Sequence, residues 1–152
     1  GSIQPSGRSG LTHLKRTQLI WWITSSAHRS MSIWTMWMAL RARAKLTAPK
    51  GAQLHFVDLR DHYFKYPFEM LTFSEHVWRN FLNPTSNLNR FRLPNYREVF
   101  DAYFQKVNIT VLERLEDEFR AARSRIRPQF LTGDEAVDSV ALIHILAEVP
   151  KR

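Results

Sequence analysis

Hydrophobic and polar positions predict three strands in the part of the chain after residue 51. Residues 53–58 form a short apolar run that follows a Pro49-Lys50-Gly51 turn. Residues 107–112 are rich in β-branched side chains. Residues 139–149 form a long Val- and Ile-rich run that ends at Pro150, which is typical of a buried strand. The order of these runs predicts an α/β domain.

Helical signals lie between the predicted strands. Ser74 is placed to cap a helix that Asn83-Pro84 ends, and Asn95 is placed to cap a second one. Residues 113–125 are strongly charged and predict an exposed helix. The second helix presents one apolar face with i, i+3, i+4, i+7 and i+8 spacing: Tyr96, Val99, Phe100, Tyr103 and Phe104.

The first 50 residues differ in charge from the rest. The chain of 152 residues has a net charge of +8, and no Asp or Glu occurs before Asp58. Residues 51–152 hold equal numbers of acidic and basic side chains, so the whole excess belongs to the first third. We therefore divide the chain into residues 1–10, a tag remnant and disordered start, residues 11–46, a basic Trp-rich segment with some helix, and residues 47–152.

Composition excludes some classes of protein. The chain has no Cys, so it has no disulfide framework and no thiolate metal site, which fits a reducing compartment and a cytoplasmic location. No run reaches the roughly 18 apolar residues of a membrane span. The abundance of aromatic side chains favours a globular domain.

Several strings resemble the C-terminal half of a class I S-adenosylmethionine-dependent methyltransferase. The Pro49-Lys50-Gly51 turn and residues 54–63 are similar to its fifth strand and the polar loop that follows. The string Phe73-Ser74-Glu75-His76-Val77-Trp78 and the string Asn89-Arg90-Phe91-Arg92 before a Tyr-containing helix are also similar. Residues 107–112 and 139–149 correspond to the closing strands six and seven. The resemblance covers about residues 47–152.

The resemblance implies a partial, Rossmann-like fold without a cofactor site. We expect a small mixed sheet of three strands with flanking helices and an antiparallel last pair. The Gly-rich turn and the ribose-binding acid of the family are missing, because no G-x-G string occurs and no acid precedes Asp58. We expect no bound cofactor, and S-adenosylmethionine only if a partner supplies the missing half. Half a sheet leaves an open edge and an apolar face, which either the N-terminal segment or a second copy could cover, and we expect a homodimer.

The segment before residue 47 suggests a shifted reading frame. Residues 34–39, Trp-Thr-Met-Trp-Met-Ala, require the codons TGG ACN ATG TGG ATG GCN. Read from the third base of the first codon, they give Asp, a variable residue, Val, Asp and Gly, similar to a family string that precedes the fifth strand. We therefore expect residues 11–40 to be an out-of-frame reading, with the original frame returning near residues 40–45. Chance codon degeneracy is the alternative, and the nucleotide sequence of the gene decides between them.

Candidate site residues follow the first predicted strand and precede the second helix. The carboxyl end of a strand faces the ligand crevice in a doubly wound sheet, and there Asp61 and His62 could act as a general base pair. A polar loop with local salt bridges is the simpler interpretation, and the spacing matches no metal motif. His55 and His144, inside strands, are interpreted as structural. The candidate substrate-binding residues are Asp58, Arg60, Asp61, His62, Tyr63, Tyr66, Arg90 and Arg92.

Two classes of function remain open. The chain is either a non-catalytic module that binds a small molecule or a protein, or a methyltransferase that works with a partner. A third alternative is nucleic-acid binding through the basic N-terminal segment, where Trp and Arg lie close together. An out-of-frame reading would give the same basic, Trp-rich composition without a role in nucleic-acid binding.

Overall fold

One open sheet organises the protein. The computed structural model describes residues 18–19, 33–83 and 89–151, with only the backbone given for 18–19 and 33–35. The strands are β1 (Gln18–Leu19), β2 (Ala52–Asp58), β3 (Phe104–Arg114) and β4 (Val140–Pro150). Their order in the sheet is β1-β2-β4-β3.

Helices flank the sheet and fill its connections. The α-helices are α1 (Ile33–Leu46), α2 (Glu75–Val77), α3 (Leu93–Tyr103), α4 (Glu116–Ala122) and α5 (Glu135–Asp138). Short 3-10 turns cover Glu69–Leu71 and Pro128–Phe130, and a π-helical turn covers Trp78–Leu82. The fold is thus mixed α/β, and within the described residues no helix has the length and apolar character to cross a membrane.

The three long strands, β2, β3 and β4, pair with one another only in antiparallel fashion. β4 lies between β2 and β3, with Ala52 opposite Glu148 in one pair and Phe104 opposite Pro150 in the other. The parallel part of the sheet comes instead from β1, which pairs with β2 through Gln18 and Leu19. The three predicted strands and their antiparallel last pair are confirmed. The expected mixed sheet of three strands is wrong, because these three strands are all antiparallel and the parallel pair comes from a fourth, two-residue strand.

The boundary between α3 and β3 differs from the prediction. Phe104, assigned from its spacing to the helical face, has extended backbone angles and begins β3. The apolar spacing continues for one residue past the helix because Phe104 is buried and its ring stacks on Phe100 at 6.1 Å. Periodicity records which residues face the core, and it does not record where the backbone changes conformation.

Helix ends also shift. α3 begins at Leu93, so Asn95 lies within its first turn and not before it. The Asn95 side chain accepts a hydrogen bond from the Arg92 backbone N–H at 2.9 Å. Ser74 does cap α2, accepting from the Val77 backbone N–H at 3.3 Å. The exposed helix predicted over residues 113–125 is shorter, since β3 continues to residue 114, and α4 buries Phe119. Of the loop predicted over residues 87–93, residues 87 and 88 lie outside the described part.

A first hydrophobic core lies between the sheet and the two longest helices. β4 contributes Ile143 and Ile145, which are fully buried. α1 contributes Met36, Leu40 and Ala44, one residue every four, so they form a stripe along one side of the helix. The helix expected somewhere in residues 11–46 is therefore present at Ile33–Leu46 and packs against this core.

A second hydrophobic cluster packs polar and aromatic connections against α4. Its buried members are Phe68, Met70, Leu71, Trp78, Phe119, Ala122 and Ile126. The ring of Phe68 meets that of Phe119 edge-on at 5.6 Å. This cluster fixes the segment between β2 and α3, which holds most of the candidate site residues.

The second face of the sheet carries side chains that belong to neither cluster. Strand alternation places Leu54, Phe56 and Leu146 on the face opposite Ile145. Phe56 is 38% exposed, and Leu112 of β3 is 47% exposed. The homodimer expected from the sequence stays a prediction.

Candidate functional site

An apolar pocket lies where the carboxyl end of β2 meets α1 and α3. Its cavity volume is about 60 Å³. The walls come from α1, β2 and α3, and α3 is distant in sequence from the other two, so the fold itself forms the pocket. Its lining residues are Met36, Ala39, Leu40, Arg43, His55, Phe56, Val57, Asp58, Asn89, Tyr96 and Phe100.

His55 forms a neutral, hydrogen-bonded part of the pocket wall. Its Nε2 lies 2.9 Å from Gln53 Oε1, and the Gln53 amide donates in turn to Thr47 Oγ1 at 2.6 Å. Burial, together with the charge of Arg43, lowers the pKa of His55 from 6.5 to about 4. His55 is therefore uncharged at neutral pH, which agrees with the structural role expected for it.

Tyr96 forms the floor of the pocket with its hydroxyl engaged. The hydroxyl donates to Asn89 Oδ1 at 3.4 Å, and the same oxygen accepts from the Phe91 backbone N–H at 3.1 Å. Burial raises the pKa of Tyr96 to about 12, so the phenol stays neutral. It offers a fixed aromatic surface rather than an ionisable group.

Asp58 places a carboxylate in the pocket wall. Arg60 donates to it from Nε at 3.0 Å and from Nη2 at 2.7 Å, and Nε2 of His62 lies 3.4 Å away. Burial opposes the charge of Asp58, but the hydrogen bonds from Arg60 outweigh it and hold the pKa of the carboxyl below its ordinary value. Asp58 is the one predicted site residue that lines this pocket.

Asp61 is occupied by the backbone of its own loop. One carboxylate oxygen accepts from the N–H groups of Tyr63 at 2.8 Å and Phe64 at 3.0 Å, and the other accepts from the buried N–H of Met70 at 2.7 Å. The side chain shapes the loop that leads into the second cluster. The geometry thus supports the simpler interpretation of this residue, a loop carboxylate, over a general base.

We expect the substitution Asp61→Ala to lower the free energy of unfolding by about 1.5 kcal/mol. The Met70 N–H would lose a buried acceptor, whereas water can reach the partly exposed N–H groups of Tyr63 and Phe64. Urea denaturation followed by circular dichroism measures the change. Asp101→Ala, at an exposed position of α3, is the matched control, and equal stability of the two variants would contradict the loop role.

Arg90 and Arg92 are structural in this fold. Arg90 donates to the Phe73 carbonyl at 2.8 Å and pairs with Glu75, and its guanidinium lies between the rings of Trp78 and Phe130. Both belong to the candidate substrate-binding residues, which a ligand must be able to reach. They are buried instead.

Arg92 joins three segments. It donates to the carbonyls of Leu59 at 2.9 Å, Asp138 at 3.0 Å and Val140 at 2.6 Å. Burial lowers its pKa to about 10, so it keeps its charge at neutral pH. The guanidinium therefore binds backbone carbonyls where the sequence suggested a ligand.

The remaining candidates lie outside the pocket. Tyr63 and Tyr66 are 62% and 56% exposed and do not line it. Residues 33–83 and 89–151 contain no cluster of three His, Asp or Glu that could hold a metal ion. The sequence pattern predicts the apolar helical face that includes Tyr96 and Phe100, but it contains no indication that α1 packs beside this face.

Comparisons with known proteins give no relative to place beside this geometry. Searches against protein-family models, curated proteins and solved structures find no match to the chain.

Proposed function

We propose that the chain is a methyltransferase-like binding module without a cofactor site of its own, and that its pocket holds the apolar end of a small molecule. The methyltransferase-like ancestry is supported by the antiparallel pairing of β3 with β4 and by the Pro49-Lys50-Gly51 turn directly before β2. It is also supported by the parallel pairing of β1 with β2, with α1 between them in sequence.

The pocket itself carries the proposal. Met36, Leu40 and Phe100 form apolar walls at the carboxyl end of β2, the end at which open α/β sheets bind ligands. Two polar groups of its wall already have hydrogen-bond partners, since His55 is bonded to Gln53 and Asp58 to Arg60. Such a wall favours binding over proton transfer.

The volume limits what can enter. An engineered apolar cavity of about 150 Å³ binds benzene, and this cavity of about 60 Å³ is less than half that size. A short branched group of about four carbons fits the enclosed part, while the rest of the ligand must extend outward. A whole adenosyl group is too large for it.

Ligand binding can be tested with 3-methyl-1-butanol, which presents an isobutyl group beside a neutral hydroxyl. We expect shifts of the amide resonances of residues 36–43 and 55–58 in a two-dimensional NMR titration, with a Kd of about 1 mM. Ala39→Leu places an isobutyl group in the pocket from the protein side, so we expect it to abolish the shifts. Ala102→Leu, the same change at an exposed position of α3, should leave them intact.

Two results would overturn the proposal. Equal binding by wild type and Ala39→Leu would show that the alcohol binds elsewhere. Micromolar binding of S-adenosylmethionine by the chain alone, measured by calorimetry, would favour the catalytic alternative, because a remnant without the cofactor half has no site for it.

A further inference from the structure

A second cleft lies along a different side of α1. Its volume is about 460 Å³. α1 contributes Arg41, Ala44 and Lys45, the end of α3 contributes Tyr103, and Lys151 follows β4. This basic cleft shares no lining residue with the apolar pocket.

The fold holds the cations of the basic cleft on opposite walls. Arg41 and Lys45 are four residues apart and therefore lie on one side of α1. Lys151 is fixed twice, because its backbone N–H donates to the Tyr103 carbonyl at 2.7 Å and its Nζ to the Asp101 carbonyl at 2.6 Å. The Tyr103 ring meets Trp37 edge-on at 5.5 Å, which adds an aromatic surface.

Within the described residues, these cations have no carboxylate partner, unlike six arginines elsewhere in the fold. In the part of the chain that the structure describes, no Asp or Glu carboxylate oxygen lies within 4.0 Å of the charged nitrogens of Arg41, Lys45 or Lys151. Ion pairs are formed elsewhere, by Arg60, Arg79, Arg90, Arg120, Arg123 and Arg125. α1, which contributes three of the five lining residues, has no acidic residue.

We propose that the basic cleft binds the phosphate groups of single-stranded nucleic acid. Three like charges around one cleft attract an anion of several charges, and α1 belongs to the acid-free first third of the chain. A cleft of this volume accommodates one or two nucleotides rather than a duplex, and an aromatic wall suits base stacking. The cations that α1 contributes to the cleft thus mark one part of the basic N-terminal segment as the candidate site for an anion.

Fluorescence anisotropy with a labelled thymidine oligonucleotide about twelve nucleotides long tests the proposal on the full chain. We expect the affinity to fall as salt rises, because each neutralised phosphate contributes about −0.7 to the slope of log K against log salt. The triple variant Arg41→Gln/Lys45→Gln/Lys151→Gln should bind at least about tenfold more weakly at low salt and should lose about two from the slope.

A matched variant separates the cleft from net charge. Lys65→Gln/Arg97→Gln/Lys106→Gln removes the same charge from residues outside the cleft, and we expect it to stay within about twofold of wild type. Equal losses in the two variants would overturn the proposal. The proposal would also be overturned if the chain did not bind the oligonucleotide, or if it bound a duplex of the same length equally well. It would likewise be overturned if the triple variants changed binding to phosphatidylserine vesicles to the same extent as they change binding to the oligonucleotide. None of these results bears on the apolar pocket, since no pocket residue is changed.

Discussion

Replacing Arg92 with methionine is expected to lower the free energy of unfolding by about 4 kcal/mol. The guanidinium donates to the carbonyls of Leu59, Asp138 and Val140, and Arg92 is 4% exposed. Methionine fills much of the same space but donates no hydrogen bond. Three carbonyls would then lose a donor in a region that water barely reaches, at about 1–3 kcal/mol each before the loop relaxes.

Urea denaturation at pH 7, followed by circular dichroism, measures this loss. Arg97→Met, on the exposed side of the same α3 region, is the matched control and should change stability by less than about 0.5 kcal/mol. Arg92→Lys should recover part of the loss, because one ammonium group cannot reach all three carbonyls in the planar geometry of guanidinium. A loss below about 1 kcal/mol for Arg92→Met would contradict the structural assignment.

The strands were predictable because their signals are local. β4 shows a continuous apolar run, and every second residue from Ala141 to Ala147 is fully buried. The place of Ser74 before a helical turn predicts a cap, and its side chain makes the expected bond. Patterns within about ten residues report on such elements, since alternation and capping are properties of neighbouring positions.

The roles of the arginines were not predictable because their partners are distant. The three carbonyls that Arg92 binds lie 33, 46 and 48 residues away in sequence. Arg90 reaches the Phe73 carbonyl 17 residues away. A carbonyl is also present at every residue, so no residue type marks it as a partner. An Asn-Arg-x-Arg string therefore looks the same whether it holds a ligand or a chain segment.

The apolar pocket required α1, whose pattern is weak in the sequence. Exposed Met38 and half-buried Trp37 obscure the stripe formed by Met36, Leu40 and Ala44. The helix that carries this stripe continues without a break through residues 40–45, where we expect the ancestral reading frame to return. A shifted frame upstream is compatible with this packing, because a short amphipathic stripe needs only an apolar residue about every fourth position. The nucleotide sequence of the gene decides whether the frame is shifted.

Acidification is expected to destabilise the fold through His55. Its ordinary pKa of 6.5 describes the unfolded chain, and burial together with Arg43 lowers the pKa in the folded protein to about 4. Between these values the unfolded state binds more protons, so stability is present above pH 6.5 and is lost as the pH falls toward 4. From pH 7 to 4.5 this loss amounts to about 2.5 kcal/mol.

The groups around His55 explain why the charged form is not accommodated. Gln53 is the hydrogen-bond partner of Nε2, the ring of Phe100 stands edge-on at 4.9 Å, and Arg43 contributes repulsion. Urea unfolding at several pH values should show the loss in wild type and in His76→Gln, where the altered residue is exposed. His55→Gln cannot take up the proton and should remove most of the pH dependence in this window. The same slope in both variants would contradict the assignment, because the proton would then bind at another group.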